Sequence, residues 1–230
     1  MCAAQLAGEG TATDANYREM TVFRPLLNET PCFGLAVRED RLISLADYRG
    51  STPLLLGLFP GLYCPFCRRA LAQMALTSEQ LKTLGVQCLA VVGTELENAR
   101  LYFQFRPTPL PLGADPQLTT HRSYGVPKPE PTPELMKEVE ATRINPTGEL
   151  AEPLPVPAAG EALNALDRFQ PTATDMREGQ SNFTQMKGQF LIDRDGVVRW
   201  ANIEGKEGLS GLGKFPTQAE LLDAARVVMK

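Results

Sequence analysis

An unbroken apolar run, Pro53-Leu-Leu-Leu-Gly-Leu-Phe59, leads through a short turn into Cys64-Pro-Phe-Cys67-Arg-Arg69 and then into a helical pattern that reaches about Lys82. The run is short, apolar on every residue and bounded by turn formers, as a strand buried on both faces must be. After it, Leu71, Met74, Ala75 and Leu81 recur near one side of a helix, with Ser78 the polar exception. Pro65 suits the first helical position, where its missing N–H has no partner to lose. That makes Cys64 the N-cap, with its sulfur facing the N–H of Cys67. Residues so spaced on a helix have Cα atoms roughly 5 Å apart, within reach of a disulfide. The segment predicts a buried strand, a tight turn and a helix whose first turn carries a bond that can close and open.

A thiolate is the reactive form of cysteine, and a helix N-terminus favours an anion through its free N–H groups and partial positive charge. Arg68 and Arg69 are expected to add positive charge beside Cys67; their alternative role is to solvate an exposed face. Half of a zinc site is the competing reading of the pair. Zinc needs two more ligands, whereas His121 is the only histidine and Cys2, Cys32 and Cys88 are isolated. Redox chemistry is therefore the expectation, with no metal and no other cofactor.

The chain has 230 residues, enough for one large domain or one domain with an elaborate insertion. Net charge is −4 and no basic run occurs, which argues against nucleic acid or an anionic membrane as partner. No apolar stretch is long enough to span a bilayer, and the first ten residues lack the pattern of a secretory signal. Five cysteines with one close pair do not suggest a structural disulfide framework, so a reducing cytoplasm is the expected setting.

Residues 1–20 read as a tail or a short first helix, and 21–230 as the folded domain. Phe33–Val37 and Arg41–Leu45 predict a hairpin. Val86–Val92 predicts a second central strand, and Thr94-Glu-Leu-Glu97 reads as a capping box opening a helix to about Phe105. A short strand or loop is expected at 111–115, and a short helix at Gln117–Tyr124 ending at Gly125. Between Pro127 and Pro171 lie nine prolines, alternate at Pro127, Pro129, Pro131 and Pro133. This favours extended chain, so residues 126–188 read as an insertion over the domain that limits access to the sulfurs. Helix is possible in it at Glu134–Glu140 and Ala158–Arg168. Gln189–Asp193 and Val197–Ile203 predict an antiparallel hairpin whose turn needs Gly196 at positive φ. Thr217-Gln-Ala-Glu220 is a second capping box, opening a last helix to about Val228. Cys88 reads as a core residue, His121 as a surface residue of a polar helix, and Trp200 as core or edge packing. Cys32 is open to a resolving role.

Taken together, Thr30–Leu35, Ile43–Gly50, Phe59–Cys67, Ala114-Asp115 with Tyr124-Gly-Val126, and Gly188–Gly196 resemble the thioredoxin superfamily, nearest its peroxiredoxin-like branch, the alkyl hydroperoxide reductase and thiol-specific antioxidant group. The resemblance implies an α/β thioredoxin-like fold, a central mixed sheet flanked by helices. It implies thiol chemistry in two overlapping forms. In the peroxiredoxin pattern Pro60 and Cys67 match the conserved proline and the peroxide-attacking cysteine, with Cys64 at the Thr position and Lys187 at the Arg position. In the dithiol pattern Cys64 attacks and Cys67 resolves, Tyr63 stands at the aromatic position before the pair, and Gly188 replaces the usual cis-proline. The Pro-Phe between the cysteines is similar to that of glutaredoxins. The expected activity is thiol–disulfide exchange through Cys64, with peroxide reduction through Cys67, or a non-enzymatic redox sensor or binding module, as alternatives. Implied partners are a disulfide or peroxide substrate and an external thiol donor, either a small thiol or a thioredoxin-like protein.

Overall fold

The structure, a computed structural model, describes residues 32–38, 41–206 and 208–229. The expected tail at 1–20, Cys2 and the resemblance at Thr30-Pro31 lie outside them. The chain folds as a mixed α/β domain of thioredoxin-like architecture. Strands β1 (Cys32–Ala36) and β2 (Leu42–Ser44) form the antiparallel hairpin expected there. Then come β3 (Leu54–Phe59), α1 (Pro65–Thr83), β4 (Gln87–Val92), α2 (Leu96–Phe105), β5 (Leu112–Ala114) and α3 (Thr119–Ser123). Next are α4 (Pro133–Ala141), β6 (Arg143–Ile144), β7 (Leu154–Pro155), α5 (Val156–Leu166) and α6 (Ala173–Asn182). The closing hairpin is β8 (Gly188–Ile192) and β9 (Val198–Ile203), followed by α7 (Gln218–Val228).

One seven-stranded sheet runs in the order β2-β1-β5-β4-β3-β8-β9. Strands β3, β4 and β5 are parallel neighbours, and β8 joins β3 antiparallel with Leu58 opposite Gly188. All six residues of β3 are buried, as the unbroken apolar run requires. Their side chains alternate between two cores. Leu55 and Phe59 join Met74, Leu81 and Leu221 under α1 and α7, while Leu54, Leu56 and Leu58 join Tyr124, Phe190 and Ile192 on the opposite face. Gly57 allows α1 its close approach, since a Cβ there would lie 2.8 Å from the Met74 sulfur. Gly196 takes φ +84° in the β8–β9 turn. Cys88 is buried in the first core and Trp200 packs partly buried against it.

Three local expectations are corrected. Thr94 and Glu97 form no capping box; α2 starts after Glu95 without a side-chain cap of its own. Instead the Glu178 carboxylate, from α6, accepts from Glu95 N at 3.0 Å and from the Thr94 hydroxyl at 3.0 Å. A carboxyl group supplied from another helix thus takes the donors at the start of α2. Second, the helices expected at Glu134–Glu140 and Ala158–Arg168 form as α4 and α5, but residues 126–188 are more regular than the proline density suggests. They hold three helices, a two-stranded sheet and an apolar cluster of Ile144, Leu150, Ala159 and Leu163, packed on Phe66 and Leu212. The alternate prolines before α4 lack regular structure, as do the connections at 145–153, 167–172 and 183–187. Third, His121 is fully buried, with neither ring nitrogen hydrogen-bonded among the described residues. Burial holds its pKa down to about 4.

Candidate active site

The turn after β3 delivers Cys64 to the start of α1. Its sulfur accepts the Cys67 N–H at 3.3 Å, and its carbonyl accepts the N–H groups of Cys67 and Arg68 at 3.1 and 3.2 Å. Cys64 is thus the N-cap and Pro65 the first helical residue. The two sulfurs, both free thiols, sit in unlike surroundings. Cys64 is partly exposed, whereas Cys67 is fully buried beneath the helix turn. A hydrogen bond from the Cys67 thiol, then the charge of Lys187 and the Cys67 backbone N–H, lower the Cys64 pKa to about 7 against the opposing effect of burial. Cys67 is pushed the other way, first by burial, then by the bond to Cys64 and by the negative charge there. The hydrogen bond between them pushes the two sulfurs in opposite directions, the partly exposed Cys64 toward the thiolate and the buried Cys67 toward the thiol.

Lys187 lies just before β8, where that strand meets the end of β3, and it is 1% exposed. Its Nζ donates to Glu204 Oε1 at 2.6 Å, and its backbone N–H donates to Glu204 Oε2 at 3.1 Å. Gly213 N also donates to Oε1, at 2.8 Å. Burial works against the lysine charge, but Glu204 and the two cysteine sulfurs outweigh it and hold the Lys187 pKa above its ordinary value. Sequence reasoning missed Glu204. It follows β9 in the chain, in a stretch with no motif, and its partners are all distant in sequence.

The arginines next to Cys67 do something other than stabilise the thiolate. Arg68, buried, donates to the carbonyls of Leu62 and Tyr63 at 2.8 and 3.3 Å, to Asn164 Oδ1 at 2.7 Å and to Asp167 Oδ2 at 2.7 Å. Its guanidinium lies 3.9 Å from the centre of the Phe169 ring. Arg69 pairs with Glu149 at 2.8 Å and with Asp167 at 2.9 Å. Successive helical residues point about 100° apart, so neighbours of Cys67 in sequence cannot share its face. These side chains clamp α5 to α1, and Arg68 also holds the turn before Cys64.

Tyr63 donates its hydroxyl to Asn182 O at 2.7 Å and packs on Gly179, tying that turn to α6. Burial raises its pKa strongly, so it stays a neutral phenol. Beyond Glu178, the same helix contributes Asp175, whose Oδ1 accepts from Asn98 at 2.9 Å. Cys88 is pushed up to about 12 by burial alone, the state of an inert core thiol.

Above Cys64 opens a cleft of about 230 Å³. Pro60, Tyr63 and both cysteines form one side; Leu135, Met136 and Val139 of α4, Phe183 after α6, and Leu212 line the rest. The 126–188 segment thus walls the sulfurs. Among the described residues, no group of three His, Cys, Asp or Glu side chains could hold a metal ion, and no helix is long and apolar enough to cross a membrane.

A profile of the AhpC/TSA family matches residues 27–201. No curated protein matches the chain. Among solved structures, peroxiredoxin Q of Xanthomonas campestris superposes with a TM-score of 0.52 at 12% identity, covering 90% of this chain and all of that one. Peroxidoxin BcpB of Mycobacterium tuberculosis gives 0.50 at 14% identity, covering 87% and 94%. A secreted thiol-disulfide isomerase of Corynebacterium glutamicum gives 0.49 at 14%, covering 96% and 99%. At such identities the likeness to the first two describes the fold.

Proposed function

The chain belongs to the AhpC/TSA family, and from that premise we propose that it is a thiol–disulfide oxidoreductase in which Cys64 attacks and Cys67 resolves. The observation that carries this reading is the asymmetry of the two sulfurs: the partly exposed one has its pKa lowered to about 7, and the fully buried one has its pKa raised. The Cys64 thiolate attacks one sulfur of a substrate disulfide. A Cys64–substrate S–S bond forms, the substrate S–S bond breaks, and the departing sulfur leaves with the electron pair as a thiolate.

The resolving step follows from the same electrostatics. Once Cys64 is in a mixed disulfide, its negative charge is gone and it no longer takes the Cys67 proton. Burial still raises the Cys67 pKa, but the two influences of Cys64 that add to it vanish, and the lowering effect of Lys187 remains. Cys67 then loses its proton to the departing thiolate and attacks the Cys64 sulfur. The products are a Cys64–Cys67 disulfide, one substrate thiol that carries the Cys67 proton and one substrate thiolate that takes its proton from solvent; the protein has given up two electrons and one proton. An external thiol donor restores the dithiol. The Lys187–Glu204 pair serves as a positioning element, with Glu204 fixing the ammonium whose charge favours the thiolate.

Peroxide reduction with Cys67 attacking is the second reading, favoured by the family. It requires the buried, raised-pKa sulfur to be the nucleophile, and an ammonium already bonded to Glu204 to polarise the peroxide, a poorer fork than a guanidinium. Single-cysteine variants separate the two. Cys67→Ser should accumulate a mixed disulfide at Cys64, and Cys64→Ser should lose exchange. Rapid peroxide consumption by Cys64→Ser, absent in Cys67→Ser, would reverse the assignment.

A further inference from the structure

Resting on the exchange reading above, we propose that the cleft over Cys64 selects disulfides carrying an uncharged apolar group, of about the size of a phenyl ring or more, on the sulfur that Cys64 attacks. Three observations support it. First, α4 buries none of its residues fully, yet its apolar Met136 and Val139 line the cleft with the sulfurs rather than a core. An amphipathic helix normally hides its apolar side; here that side is left facing the reactive atom, joined by Phe66, Phe183 and Leu212. Second, among the described lining residues the only charged side chain is Glu204, and no basic group is present to meet a carboxylate. The Glu204 oxygens are already bonded to Lys187 and Gly213, and the polar Thr184 and Gln185 of the lining are uncharged, so an anionic substrate would lose water without gaining a basic partner. Third, the volume of about 230 Å³ exceeds the roughly 150 Å³ of a dry apolar cavity that takes up benzene.

A carboxylate-bearing thiol such as glutathione is therefore a poor direct partner of Cys64 from this side. The step is the one already described: the sulfur bearing the apolar group bonds to Cys64, the other sulfur departs as thiolate, and Cys67 then expels the apolar thiol.

The test uses 2-pyridyl disulfides that share one leaving group, so that rates report the other substituent. Release of pyridine-2-thione by the reduced protein is followed with benzyl, ethyl, carboxyethyl and glutathionyl members, each normalised to a free cysteine peptide. The normalised rate for benzyl should exceed that for carboxyethyl by about tenfold or more, the scale on which apolar pockets discriminate. Met136→Lys, a change on a half-exposed helix face, should shrink that ratio several-fold by favouring the carboxylate. A parallel arm labels Cys64 with N-benzylmaleimide and with its carboxyethyl counterpart, reading the cleft without disulfide chemistry. Ratios within about threefold of the free peptide in both arms overturn the selectivity and leave the thiol chemistry standing. Selective maleimide labelling with no thione release from any disulfide sinks the exchange reading and leaves the selectivity standing.

Discussion

Arg68 and Arg69 follow Cys67 directly in the chain, whereas Lys187 comes far later, yet the effects on the thiols run in the opposite order of distance. The arginines are engaged by Asp167, Glu149 and Asn164 and fasten α5 to α1. Lys187, brought in by β8, is the positive charge that lowers both cysteines. Helix geometry explains the contrast. Residues one and two positions beyond Cys67 point to other faces of α1, while β8 begins beside the end of β3, the end that leads into the cysteine turn. Charge near a thiol in sequence says little until the elements that flank it are known.

The contrast is broken most forcefully at Lys187. Lys187→Met leaves the Glu204 carboxylate buried without its ion partner and should cost about 3–5 kcal/mol in urea unfolding. It should also slow Cys64 alkylation at pH 7 by roughly threefold to tenfold, because the thiolate fraction falls as the pKa returns toward about 8.5. Unchanged alkylation in a folded Lys187→Met protein would remove Lys187 from the account of the thiolate.

A buried base with no hydrogen-bond partner among the described residues sharpens the point. His121 is neutral in both folded and unfolded chains above its ordinary value of 6.5. As pH falls, the unfolded chain takes the proton first, so stability drops until the folded form also protonates near pH 4. The span from 6.5 to about 4 corresponds to about 3 kcal/mol. His121→Leu should flatten that part of the stability–pH curve. A curve of the same slope in the variant would assign the acid sensitivity elsewhere.

Smaller effects are expected on the arginine side. Arg68→Ala should cost about 2–3 kcal/mol through its lost buried hydrogen bonds, and Arg69→Ala about 1 kcal/mol or less, since its carboxylate partners stay partly in water. Neither should move the Cys64 alkylation midpoint as far as Lys187→Met does. An equal or larger movement in Arg68→Ala would mean the two clusters do not differ in the way their geometry indicates.

What the sequence made legible was local. The buried run of β3, the Cys64 cap, Pro65, the two hairpins and the Thr217–Glu220 capping box each depend on neighbours within a few residues, and each is present. What it hid was held by distant partners. The sequence of α6, Ala-Thr-Asp-Met-Arg-Glu-Gly-Gln-Ser-Asn, has no apolar stripe because that helix buries Asp175, Glu178 and Asn182 instead. Its one local signal was the Thr172–Asp175 capping box, which does form. Thr94 gave the same kind of signal at α2, but there Glu178 took over its hydroxyl. Glu204 could be found only once the sheet order placed it beside Lys187, and the Asn164 and Asp167 partners of Arg68 only once α5 was packed on α1.

The account turns on Cys64 being the thiolate and Cys67 its proton donor. The most direct measurement is the rate of iodoacetamide labelling of the reduced protein across pH, with peptide mapping at low conversion. The expected result is label on Cys64 with a midpoint at about pH 7, and Cys67 labelled only after unfolding. Label appearing first on Cys67, or a Cys64 midpoint at or above the free-thiol value of about 8.5, would contradict it.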